Sequence, residues 1–145
     1  MKGILVLALG LIITAAVAAG TVACANEATT NSGSPKEVPV DTSYSGKTVE
    51  VSVDDSVIIT LDSNPTTGFS WALKEISDGS VLQEAGHEYN APQPTEPPLL
   101  GAGGKEVWTF KALKKGTSNI SMEYRRPWEQ GVQPAETFSL TVVVK

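Results

Sequence analysis

The chain has 145 residues, 41% hydrophobic and 19% charged, which is the composition of a folded domain and not of a disordered chain. This length suits one domain and is too short for two comfortable ones. The formal net charge is -5 with no Lys/Arg cluster, so nucleic acid is excluded as a partner, because phosphate repels such a surface.

In chain order, the first segment stands apart from the fold. Met1-Lys2 supplies a minimal positive start, residues 4–19 form an almost unbroken apolar run, and the chain turns polar after Cys24. Residues 1–23 therefore read as a secretory signal peptide, and the protein is expected to be exported. A short membrane-spanning helix is the alternative, although the run only marginally reaches the ~20 residues a span needs. Cys24 is the only cysteine, so no intramolecular disulfide can form. Its place after Ala23 resembles a prokaryotic lipoprotein signal, with Thr21 where Leu is usual. That resemblance implies lipidation of Cys24 and contact with the membrane only through a lipid or N-terminal anchor. An ordinary cleaved signal with a nearby cysteine stays open as the other reading. Residues 24–43 are rich in Ser, Thr, Asn, Gly, Pro and Glu without apolar periodicity, and read as a flexible tether.

From residue 44 onward the apolar residues recur every second position, the spacing of half-buried strands. Val49, Val51 and Val53 form one such row, and Val57, Ile59 and Leu61 a second after the Asp54-Asp55 turn. Phe69, Trp71 and Leu73 follow, then Trp108 with Phe110, then Ile120, Met122 and Tyr124, and last Phe138, Leu140, Val142 and Val144. No window carries a helical stripe. Six or seven short strands in about a hundred residues predict an all-β fold, an immunoglobulin-like antiparallel β-sandwich. Trp71 and Trp108 continue strand patterns and are expected in the core.

Three Pro/Gly-rich segments interrupt the alternation, at 63–68, 91–104 and 126–134, and read as loops. In a sandwich such loops can cluster at one end, which makes a binding surface the natural expectation. Catalysis finds little support. The one histidine, His87, falls on an expected strand with no nucleophile elbow to serve. No spacing of His and Cys suits a metal, and no Gly-rich loop opens a helix to hold phosphate. Neither a cofactor nor an enzymatic activity is expected. Asn119-Ile120-Ser121 matches a glycosylation sequon but lies mid-strand, so no modification is expected there.

The three loops carry a resemblance. Asn64-Pro65-Thr66-Thr67-Gly68 opens NPTTGFSW. Leu99-Leu100-Gly101-Ala102-Gly103-Gly104 reads LLGAGG, and Arg126-Pro127-Trp128 reads RPW. In this order they resemble the signature loops of the chagasin family, the chagasin-like inhibitors of papain-like cysteine proteases. The resemblance spans residues 44–145 and is specific because all three motifs fall, in order, at expected loops. It implies a reversible inhibitor domain that wedges into the protease's active-site cleft, and nothing in the sequence asks for more than a monomer. Thr66 would come closest to the catalytic thiol. Leu99, Leu100 and the glycines would lie along one side, and Trp128 would pack on the other.

The residue types suit that role. Pro65 limits the freedom of its loop before binding, and Gly68 can take the positive φ that closes a turn. Glycines at 101, 103 and 104 allow close backbone approach. Arg and Trp are enriched at binding hot spots. Each has a plainer reading. The NPTTG segment is a respectable turn in any β protein. Arg126 can pair with Glu129 or Glu123 and be structural. Trp128 lacks a periodic partner and is the strongest contact candidate. An immunoglobulin-like envelope adhesion domain without a protease target is the alternative function, and an enzyme using His87 a third.

Overall fold

The computed structural model describes residues 33–94, 97 and 101–145. Residues 1–23, Cys24, Leu99 and Leu100 lie outside the described residues.

Among the described residues eight strands form: β1 (Glu37–Val40), β2 (Lys47–Val51), β3 (Ser56–Ser63), β4 (Ser70–Ile76), β5 (Leu82–Asn90), β6 (Gly104–Ala112), β7 (Gly116–Arg125) and β8 (Glu136–Val144). They make two four-stranded sheets, ordered β1-β3-β6-β5 and β2-β8-β7-β4. The alternation read from sequence is the alternation of burial. Val57, Ile59 and Leu61 of β3 and Phe110 and Ala112 of β6 point inward from one sheet. Ile120 and Met122 of β7 and Phe138, Leu140 and Val142 of β8 point inward from the other, and all are buried. Trp71 and Trp108 join this core as expected. Each such aliphatic or Phe side chain contributes roughly 1.5–3 kcal/mol on burial, and this apolar layer holds the sandwich together.

The expected tether is corrected at its C-terminal end. Residues 37–40 are strand β1, paired in parallel with β3 from Glu37↔Ser56 to Val40↔Ile59. Val40 is buried and Val38 packs on the core. Four residues with a proline inside are too short to show a period-two signal, and Pro39 demotes the segment further. Its position as an edge strand is where a proline is tolerated. Asp55 anchors the start of β1, with its Oδ1 accepting from Lys36 N at 2.9 Å and its Oδ2 from Ser52 N at 2.8 Å. The sandwich is also not wholly antiparallel, because β2 pairs β8 in parallel as well.

The crossings between sheets matter for function. β3 and β4 belong to different sheets, and residues 64–69 carry the chain from one to the other. The other two irregular segments join β5 to β6 and β7 to β8, each within one sheet.

Candidate functional site

The β3–β4 loop turns through a short 3-10 segment, Pro65–Thr67, with Pro65 at its first position. Proline's fixed φ and missing N–H suit that place. Gly68 closes the turn with φ 82, a left-handed conformation that costs glycine nothing. Asn64 is the hub. Its N donates to the Tyr124 hydroxyl at 2.8 Å, its Nδ2 to Gly101 O at 2.9 Å, and its Oδ1 accepts from Thr66 Oγ1 at 2.5 Å. Thr67 Oγ1 donates to Asn64 O at 2.6 Å. The tip residues Pro65, Thr66 and Thr67 are exposed, and no side chain in 64–68 carries a charge.

The β7–β8 loop grips this turn from one side. Arg126 Nε donates to Thr67 O at 3.1 Å, while its guanidinium carbon lies 4.4 Å from the Phe69 ring centre. Arg126 also pairs with Glu129 at 3.1 Å, so the structural alternative for this residue is real and coexists with its hold on the turn. Arg125, not Arg126, reaches Glu123. Pro127 is exposed. Trp128 is 67% exposed, yet part of its ring lies against Gly68. A Cβ built on Gly68 would come within 2.8 Å of Trp128 Cζ2 and nearer still to Cη2. Gly68 is therefore glycine for two reasons, its φ and the ring beside it. Val132, 57% exposed in the same loop, is an apolar group the sequence reading passed over.

The β5–β6 loop meets the turn from its other flank. Gly101 has φ 78 and accepts the Asn64 bond, with open space where a Cβ would be. Ala102 is half-buried. A Cβ on Gly103 would lie 3.0 Å from Ser63 O, so this glycine permits a close approach to the chain's own backbone. Gly104 is corrected from loop to strand: it is buried as the first residue of β6, crowded by Asn90 O and Tyr89. The structure thus brings the described members of all three motifs together, with the 64–68 turn in the middle.

Beneath the turn lies a feature the motifs do not contain. Glu106 of β6 is 2% exposed and its carboxylate accepts from Ser63 Oγ at 2.5 Å and Trp71 N at 3.0 Å. His87 Nε2 lies 2.8 Å from its other oxygen, and the His87 ring stacks on Trp108 at 3.8 Å between centres. Trp71 Nε1 donates to Asp62 O at 2.9 Å. Phe69 stacks on Tyr124 with centres 5.4 Å apart, and Trp71 meets the same ring tilted at 5.2 Å. The sequence does hold a signal for Glu106: it shares parity with Trp108 and Phe110 on the inward face of β6, where a charge needs explaining. The Lys74 ammonium of β4, bonded to Glu123 of β7 at 2.6 Å, holds that carboxyl below the usual range. Among the described residues no group of three His, Cys, Asp or Glu side chains is placed to hold a metal.

A match to a family model decides the class. Residues 50–142 match the model described as chagasin family peptidase inhibitor I42. The chain belongs to the chagasin family. Chagasin from Trypanosoma cruzi is 34% identical over 101 residues, covering 70% of this chain and 92% of that protein. Amoebiasin-2 from Entamoeba histolytica is 30% identical over 98 residues, covering 68% and 77%. The crystal structure of a cysteine protease inhibitor from Entamoeba histolytica superposes with a TM-score of 0.69 at 26% identity, covering 78% of this chain and 99% of that one. This chagasin-family chain is accordingly an inhibitor of papain-like cysteine proteases and not an enzyme. His87 is held against Glu106 and stacks on Trp108.

Proposed function

We propose that the chain inhibits by wedging the 64–68 turn into the protease's active-site cleft, with Thr66 nearest the catalytic thiol. Residues 99–104 and 126–128 would flank it on the two walls. One observation carries this reading: the turn is hydrogen-bonded on one flank to Gly101 and on the other to Arg126, with the Trp128 ring packed against Gly68, so a single ridge presents the described members of the three motifs. Its uncharged tip suits a narrow cleft. Its internal hydrogen bonds fix the conformation before binding, which reduces the entropy lost on association. The exposed Trp128 ring supplies an aromatic anchor of the kind that dominates binding energy. Inhibition of papain should then be competitive with substrate, and carboxymethylation of the enzyme's catalytic cysteine should weaken binding ~10-fold or more, since an added group would meet Thr66. Equal affinity for the blocked enzyme would contradict the placement of Thr66.

Export and tethering form part of the same proposal. The sequence supports a signal in 1–23 and lipidation at Cys24, and a domain starting at Lys36 leaves about a dozen residues as spacer. The protein would then act outside the cytoplasm as a membrane-held monomer. Mass spectrometry of the membrane fraction should find a lipidated N-terminal Cys24. An unmodified Cys24, or a cut elsewhere, would sink the anchor. Size-exclusion chromatography with light scattering should return the mass of one chain.

A further inference from the structure

The 64–69 segment crosses from one sheet to the other, so its width is the gap between β3 and β4. One buried carboxylate spans that gap. Glu106 Oε1 accepts from Ser63 Oγ, the last residue of β3, and from Trp71 N, the second residue of β4. The residues so joined bracket the proposed wedge. We infer that Glu106 is a positioning residue for inhibition: it staples both ends of the inhibitory turn and holds its base at the width the cleft requires. This rests on the reading of 64–68 as the segment that enters the cleft.

The chemistry needs a carboxylate-like acceptor here. Trp71 lies on the edge strand β4, opposite Tyr124, and its N–H is given to Glu106. Ser63 is itself buried. Removing the acceptor would leave two buried donors at the two ends of one loop, each costly to leave unpaired. Oε2 lies 2.8 Å from His87 Nε2, a contact in which the ring nitrogen donates when it carries the proton. His87 in turn lies flat on Trp108, which fixes its ring. The aliphatic core nearby cannot set this geometry, because apolar contacts are not directional.

The obvious variants separate positioning from mere packing. Glu106→Leu keeps the volume and removes every acceptor. Glu106→Gln keeps Oε1 for Ser63 and Trp71, and its amide can donate to His87 Nε2 in the other ring tautomer. Ser63→Ala removes one arm of the staple with little change in volume and keeps the proposal testable if Glu106→Leu does not fold. Papain inhibition should weaken about tenfold or more in Glu106→Leu and about threefold in Ser63→Ala, while Glu106→Gln stays within about threefold of the parent. Amide hydrogen exchange should accelerate in residues 64–71 of Glu106→Leu and remain unchanged at core strand amides such as Ile59 and Leu140. Unchanged inhibition by Glu106→Leu or, where that does not fold, by Ser63→Ala would overturn the positioning role. Acceleration spread evenly over all strands would do the same, as would a Glu106→Gln loss equal to that of Glu106→Leu. A Thr66→Trp control run beside them tells the two failures apart. If it abolishes inhibition while Glu106→Leu is silent, only the staple fails. If it is silent too, the wedge reading fails and the staple with it.

Discussion

Midway along the strands, the space between the sheets is filled with carbon: Ile59, Phe110, Ile120, Met122, Phe138 and Leu140. At the end where β3 crosses to β4, the same space holds the Glu106 carboxylate, the Ser63 hydroxyl and the Trp71 N–H. The first region is held by burial, which depends on area and volume and tolerates exchange of one apolar side chain for another of like size. The second is held by hydrogen bonds between particular atoms, which tolerate only exchanges that keep the acceptors in place, such as Glu106→Gln. The difference teaches how a small sandwich can be robust as a scaffold and exacting at one end. The body supplies stability, and the loop end converts it into a fixed outline.

The comparison breaks most readily in the body. Phe110→Ala should cost about 3–5 kcal/mol of stability by transfer and cavity terms, read by denaturant unfolding, while the fraction still folded should inhibit as before. A loss of inhibition beyond the unfolded fraction would mean that the two regions are not separable. At the loop end the effects should reverse. Trp128→Ala removes a ring that is mostly in solvent, so unfolding should be nearly unchanged while binding falls by ~2 kcal/mol or more, roughly thirtyfold. Gly68→Ala should follow, at about tenfold in inhibition, because a left-handed φ is strained for alanine and its Cβ would displace the Trp128 ring. Its unfolding midpoint should drop only slightly.

The smallest effect sharpens the boundary of the folded unit. Asp55 is held below its ordinary carboxylate range, first by its backbone hydrogen bond from Lys36 and then by that from Ser52. Its folded value lies below its unfolded value, so its contribution is present above about pH 4 and is lost as pH falls through the folded value. Asp55→Asn, with one acceptor where the carboxylate has two, should flatten the acid limb of the stability profile and speed exchange at β1 without touching inhibition. An unchanged acid limb would mean β1 is not docked through Asp55.

Much of this was legible in the residues, and the reasons are uneven. The rows at Val57-Ile59-Leu61 and Phe138-Leu140-Val142 could be read because a half-buried strand must alternate. The three loops could be read because turns demand Pro and Gly, and their motifs carried the family. β1 escaped because Val38 and Val40 flank a proline in a four-residue strand. Its parallel pairing is set by partners in the remainder of the chain, not by its own pattern. Asn64 read as a turn former, but its bonds to Tyr124 and Gly101 span long sequence separations that no local pattern encodes. Glu106 sat at an inward-facing position between Gly104 and Trp108. Only the folded chain shows that its partners, Ser63 and Trp71, stand at the two ends of the β3–β4 loop.

The most direct test is a titration of papain with the full chain, purified in mild detergent, beside its Trp128→Ala form. The account predicts near-stoichiometric, reversible inhibition by the parent and clearly weaker inhibition by the variant at equal unfolding midpoint. A folded parent chain that leaves papain and other papain-like enzymes fully active at micromolar concentration, or a variant that inhibits as well as the parent, would contradict it.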